Sequence, residues 1–173
     1  MKIPVIETDR LVLEPLSAGH SRGMFDLWSD QAVCRFSGAV RDYDGNVIPM
    51  PARSRNDSDA IIDFWRRAVS DGWGFRWAVV LLGGQRAFAG MIGFNSWPAC
   101  AEIAYHLHPS YWGKGIMTEA AKAATQWARV NGACELEAFI EPKNVASIAL
   151  ARRLGMTATH EFCEGARRYL VSL

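Results

Sequence analysis

The stretch from Ala101 to Ala120 constrains the fold more than any other part of the chain. Ala101 to His108 reads as a strand and stops at Pro109. The short run Ser110-Tyr111-Trp112-Gly113-Lys114-Gly115 then opens directly into a helix over Gly115 to Asn131. Ile116, Ala120, Ala123, Ala124, Trp127 and Ala128 recur there at the 3.6-residue spacing, Glu119, Lys122, Gln126 and Arg129 take the opposite face, and Gly132 closes the helix. A strand that runs straight into a one-faced helix needs a sheet for that helix to lie on.

The two glycines also carry chemistry. At alternate positions they let the main chain turn tightly and approach a ligand closely. The first N–H groups of the helix have no partner inside it, and the helix dipole adds partial positive charge. That geometry suits a phosphate or diphosphate, and Lys114 adds charge beside it. Two known phosphate motifs fit poorly: Lys114 precedes the second glycine, against the P-loop order, and Thr118 stands where a dinucleotide fingerprint has its third glycine.

The flanking sequence supplies the rest of the sheet. Strands are expected over Arg10–Leu16, Phe75–Leu82, Arg86–Phe94, Glu135–Ile140, Ala158–Cys163 and Arg167–Val171, with hairpin turns at Gly83-Gly84 and Glu164-Gly165. Helices are expected over Ala18–Trp28 after Ser17, over a segment capped by Ser58 or Asp57 and ending at Asp71-Gly72, and over Asn144–Leu154 before Gly155. Ser37 to Asp57 shows no periodicity, as functional or mobile segments of that length do. Hairpins joined by helical crossovers give an α/β (α+β) fold, a mixed, mostly antiparallel sheet covered by helices. Its expected core is Leu13, Trp28, Trp65, Val79, Ile92, Ile103, Tyr105, Leu107, Trp127, Phe139, Ile148 and Leu154.

Composition narrows the function classes. The 173 residues fit one domain over 1–173, and a net charge of +1 leaves no global field that favours nucleic acid or an anionic membrane. No apolar run approaches the ~20 residues that span a bilayer, and the N-terminus meets charge too early for a signal peptide. Cys34, Cys100, Cys134 and Cys163 are scattered with no metal-ligand or redox spacing, which suits reduced thiols in a cytoplasmic protein and no metal site.

Tyr105-His106-Leu107-His108-Pro109-Ser110-Tyr111-Trp112-Gly113-Lys114-Gly115-Ile116-Met117-Thr118-Glu119-Ala120 resembles the acetyl-CoA motif of the GNAT superfamily of N-acetyltransferases, nearest the branch that acetylates N-terminal residues of ribosomal proteins. Glu7–Leu16 resembles that branch's opening strand, Phe88–Phe94 its central hairpin return, and Pro142–Met156 its last helix, all in the family's order. The resemblance implies helices on both faces and a sheet splayed near the strand that ends at Pro109. It implies acetyl-CoA as co-substrate, its arm paired with the main chain of His106, Leu107 and His108. The diphosphate would rest on amides of Trp112, Gly113, Lys114, Gly115, Ile116, Met117 and Thr118, with Asn144 on the arm. Two positions depart from the family: Ser110 stands where a side-chain contact is usual, and Ala151 where many members carry a tyrosine that protonates the leaving thiolate. Ser147 matches the serine that replaces this tyrosine in the resembling branch.

Such an enzyme passes the acetyl group directly to a primary amine, from a protein N-terminus or a small molecule. An α-amine with pKa near ~7.7–8.0 is already partly neutral, whereas a lysine amine near ~10.4 needs more help. Glu102 is the leading base, with His106 the alternative, and a main-chain N–H near Leu107 is the oxyanion donor. A degenerate domain that binds CoA as a sensor or scaffold is the rival reading, motivated by Ser110 and Ala151. An edge strand near the C-terminus offers a homodimer surface.

Overall fold

The computed structural model describes residues 2–84 and 86–173; Met1 and Gln85 lie outside the described residues. Eight strands form one sheet in the order β1-β2-β3-β4-β5-β6-β8-β7. They are β1 (Ile6–Glu7), β2 (Leu11–Pro15), β3 (Phe75–Leu81), β4 (Ala87–Phe94), β5 (Cys100–Leu107), β6 (Glu135–Ile140), β7 (Thr157–Cys163) and β8 (Ala166–Ser172). Every pair is antiparallel except β5 with β6. The helices are α1 (Ser21–Trp28), α2 (Gln31–Cys34), α3 (Arg55–Asp71), α4 (Ile116–Val130) and α5 (Val145–Arg153).

Strand parity divides the core into two layers. Leu11, Leu13, Phe75, Trp77, Val79, Ile92, Phe94 and Ile103 pack with α4 and α5 on one face. Val12, Ala78, Val80 and Met91 pack with α1 and α3 on the other, against Met24, Leu27, Trp28, Ile61 and Ile62. β3 is therefore buried on both faces, and its sequence FRWAVVL is nearly all apolar. α4 presents Ala120, Ala121, Ala124 and Ala128, all fully buried, so its axis lies close to the sheet.

Most expected elements are present, with local differences. α3 begins at Arg55 because Ser54, not Ser58 or Asp57, caps it; Asp57 is instead the third residue of a capping box, its carboxylate accepting from the Ser54 N–H at 2.9 Å. A 3₁₀ turn over Ala18–His20 precedes α1, since the His20 ring binds back to the Ser17 amide at 3.1 Å. Phe139 is 37% exposed and not core: it alternates with Ala138 and Ile140, whose side chains are the inward ones on β6. Trp65, Tyr105, Leu107, Trp127, Ile148 and Leu154 are partly buried and pack at the core's margin.

Candidate active site at a fork between two strands

The parallel pairing of β5 and β6 is short. Cys100 faces Glu135, Ala101 faces Leu136 and Glu102 faces Glu137, and there it stops. β5 continues to Leu107, still paired with β4 up to Gly90, while β6 continues paired with β8 up to Arg167. The two strands thus diverge beyond Glu102 and leave an open edge on β5 inside the sheet. Unpaired strand N–H and C=O groups need a partner.

Which groups face this fork follows from the antiparallel register. Asn95 donates its N–H to the Glu102 carbonyl at 2.8 Å, and His108 donates to the Ala89 carbonyl at 2.8 Å. Even-numbered residues of β5 therefore spend their main-chain groups on β4, and Ile103, Tyr105 and Leu107 turn theirs toward the fork. This corrects the expected pairing of the cofactor arm with His106 and His108, whose main chains face β4. No register shift interrupts β4 and β5, so no bulge restores the expected facing. Of the gap-facing groups, the Leu107 carbonyl already accepts from the Trp112 indole N–H at 2.7 Å. On the α4–α5 face, the Tyr105 hydroxyl reaches the Ser147 carbonyl at 3.5 Å.

Beyond β5, Pro109–Tyr111 forms a 3₁₀ turn in which Trp112 donates its amide to the Pro109 carbonyl at 3.0 Å. The Trp112 amide is therefore spent, against its expected place in a diphosphate cradle. Gly113 and Gly115 follow with φ of 71° and 75°, left-handed values that a residue with a Cβ adopts only at a cost. Among the described residues, the amides of Gly113, Lys114, Gly115, Ile116, Met117 and Thr118 have no acceptor, and Gly113 to Gly115 are exposed. Ile116 and Met117 bury their side chains in the core, and as the first residues of α4 their amides have no partner inside the helix. Asn144, at the start of α5, accepts the Ser147 amide on its side-chain oxygen at 3.2 Å and so caps that helix.

The face opposite α4 carries the titratable groups. Asn95 donates its side-chain N–H to Glu102 Oε1 at 2.6 Å. Arg76 on β3 donates to the Asn95 side-chain oxygen and to the Phe75 carbonyl, and its guanidinium lies 3.5 Å from the centroid of the Trp65 ring. Burial pushes the Glu102 carboxyl above its usual value; Asn95 and Arg76 oppose the shift and Glu137 adds to it. Arg76 is only 4% exposed, and burial lowers its pKa to about 9. His106 lies on the same face, its ring centroid 4.5 Å from that of Trp28, with Nε2 3.3 Å from the Ser37 hydroxyl. Burial, aided by Arg76, drives its pKa to about 3, so the ring is neutral and a poor proton acceptor at neutral pH. Sequence reasoning missed Arg76; its signal was a charge at an inward position of an otherwise apolar strand.

The model of the Acetyltransferase (GNAT) domain family matches residues 10–157, most of the chain. The chain belongs to that family. In sequence it is similar to the uncharacterized N-acetyltransferase YoaA of Bacillus subtilis (strain 168), 24% identical over 156 residues that cover 88% of this chain and 82% of YoaA. In fold it is similar to an acetyltransferase from Agrobacterium tumefaciens, with a TM-score of 0.77 at 22% identity over 99% of this chain and 95% of the other. It also resembles RimL, a ribosomal L7/L12 α-N-protein acetyltransferase solved with coenzyme A, with a TM-score of 0.77 at 20% identity over 98% of each chain. This GNAT protein is an acetyl-CoA-dependent N-acetyltransferase. The unpaired edge of β5, the free amides after Trp112 and the two left-handed glycines fit an extended arm that ends in a diphosphate. No helix among the described residues is long and apolar enough to cross a membrane, and no described cluster of His, Cys, Asp or Glu could hold a metal ion.

Proposed function

We propose that the enzyme acetylates a primary α-amine by direct transfer in a ternary complex, with Glu102 as general base. The observation that carries this reading is the position of Glu102. It is the last residue of β5 paired with β6, so its half-buried carboxylate stands at the apex of the fork. A base there serves an acceptor approaching from the α1–α3 face. Bound acetyl-CoA supplies the thioester: amine attack on its carbonyl forms the N–C bond, the C–S bond breaks, and the thiolate leaves with a proton. An α-amine of pKa ~7.7–8.0 is partly neutral already and needs only modest help from Glu102, whose carboxyl burial raises above its usual value, whereas a lysine amine near ~10.4 needs more. A protein N-terminus is therefore the favoured acceptor over a lysine side chain, in line with the α-amine substrate that RimL's name states.

The remaining roles follow from reach. A strand rises about 3.3 Å per residue, so Leu107 lies roughly 16 Å along β5 from Glu102 and Tyr105 roughly 10 Å. A carbonyl that Glu102 serves through one water is within reach of the Tyr105 N–H, which takes the oxyanion role first expected of Leu107. The Leu107 N–H is then left to the cofactor arm. Ser147, in the first turn of α5 beside Tyr105, is the proton donor to the departing sulfur, and Asn144 fixes that turn. Gly113 to Thr118 hold the diphosphate, with Lys114 adding charge.

The test is release of free thiol from acetyl-CoA across a panel of peptides with small N-terminal residues and of small-molecule amines. Turnover with at least one α-amine that collapses in Glu102→Gln supports the reading. Thiol release that Glu102→Gln leaves unchanged, or CoA binding with no thiol release from any α-amine, overturns it.

A further inference from the structure

Two stretches more than a hundred residues apart meet at the glycine loop. Arg10, just before β2, donates from Nη1 to the Lys114 carbonyl at 3.0 Å. Its Nε donates to Glu119 Oε2 at 2.6 Å, and its main-chain N–H donates to Glu119 Oε1 at 3.0 Å. The Thr8 hydroxyl donates to the same Oε1 at 2.6 Å and its oxygen accepts the Leu11 amide at 3.1 Å. Glu119 lies in the first turn of α4, where the helix dipole favours a carboxylate. The Arg10 guanidinium is thus held from one side by a helix and placed under the one peptide unit that joins Lys114 to Gly115.

We infer that Arg10 is a positioning residue for acetyl-CoA, setting the direction of the Gly115 N–H by anchoring the Lys114 carbonyl. In a trans peptide the C=O and the next N–H point in opposite directions. Holding the Lys114 oxygen against Arg10 therefore turns the Gly115 N–H away from Arg10, onto the side where the amides of Gly113 to Thr118 are free. Without Arg10 this peptide can rotate, because left-handed and ordinary φ values are both open to the glycines at 113 and 115. Each rotated form offers a carbonyl oxygen where a diphosphate needs a donor. Glu119 acts one step further back: it fixes the guanidinium, and its two short bonds, accepted from the Thr8 hydroxyl and from Arg10 Nε, are why the Thr8-Asp9-Arg10 stretch belongs to the site at all. The Arg10–Glu119 pair is half exposed on the arginine side, so its weight lies in geometry more than in Coulomb energy.

This inference rests on the reading that Gly113 to Thr118 hold the diphosphate, and the experiment separates the two. Two donors are compared, acetyl-CoA and S-acetylpantetheine, which carries the same thioester without the diphosphate. The wild-type ratio of their kcat/KM values tests the loop; a ratio near one overturns the loop reading itself. Arg10→Ala should raise KM for acetyl-CoA and the calorimetric Kd for CoA roughly tenfold, through the lost fraction of competent loop. It should leave kcat within about twofold and S-acetylpantetheine turnover unchanged. Arg10→Lys, which keeps one donor to the carbonyl, should recover part of the loss, and Glu119→Gln should show a smaller loss of the same kind. A purely structural role would lower the rate with both donors together. That result, or wild-type CoA affinity in Arg10→Ala, overturns the inference.

Discussion

Gly115→Ala isolates what the left-handed turn is worth. Gly115 has φ of 75°, and a Cβ built there meets only Arg10 Nη2 at 3.5 Å, an ordinary contact. The substitution therefore costs backbone strain and no overlap, about 1–2 kcal/mol for an L-residue in this region. Part of that strain is relieved if the loop abandons its native turn, which turns the amides away from the diphosphate. Tenfold in affinity corresponds to about 1.4 kcal/mol, so the CoA Kd should rise by roughly 5- to 30-fold. Gly165→Ala is the control: Gly165 has φ of 85° with nothing within 4 Å of the added Cβ, but it lies in the β7–β8 turn. It should lower thermal stability by a similar amount with no change in CoA affinity. Gly115→Asn, which tolerates a left-handed turn better, should fall between wild type and Gly115→Ala. Calorimetric titration of CoA into the four proteins reads the affinities, and thermal denaturation of each reads the stabilities. Unchanged affinity in Gly115→Ala, or equal losses in both alanine variants, would refute the argument that the turn itself aims the amides.

Glu102→Gln should reduce kcat/KM by roughly 10²–10⁴-fold with CoA affinity intact, read by thiol release and calorimetry. In the wild type, the acid limb of the kcat/KM profile should fall above the ordinary carboxylate range, since burial raises Glu102. A neutral His106 should show no imidazole shift by NMR between pH 8 and 5; and because its pKa in the fold, about 3, lies below the unfolded ~6.5, the unfolded chain binds the extra proton in that window and stability should decline as pH drops below ~6.5. Chemical denaturation at pH 7 and 5, in wild type and His106→Gln, checks the sign: the variant should lose less on acidification. Ala124→Leu, on the fully buried alanine stripe of α4, should cost about 1–3 kcal/mol by overpacking, measurable as a lower denaturation midpoint.

Much of the sheet was legible because strands and helices announce themselves by period. The Glu164-Gly165 hairpin appears where its residues placed it, with φ of 49° and 85°. The α4 register followed from alanines and Trp127 at helical spacing. The boundary of α3 was misplaced because Asp57 can serve either as a cap or as the reciprocal partner of one, and only the chain's path before Ser54 selects between them. Phe139 misled because apolar character alone does not say which face of β6 is covered.

The sequence by itself determined the strand, the double-glycine turn and the helix that follows, since these depend on residues close along the chain and on the conformational freedom of glycine. The tertiary structure alone decided which amides of β5 face the fork, because that parity is set by hydrogen bonds to β4. It also decided that the His106 ring packs against Trp28, that Arg76 reaches Glu102 through Asn95, and that Arg10 lies under the Lys114 carbonyl. Each is a contact between elements distant in sequence, where burial and the direction of a hydrogen bond fix a group's chemistry and the identity of the residue does not.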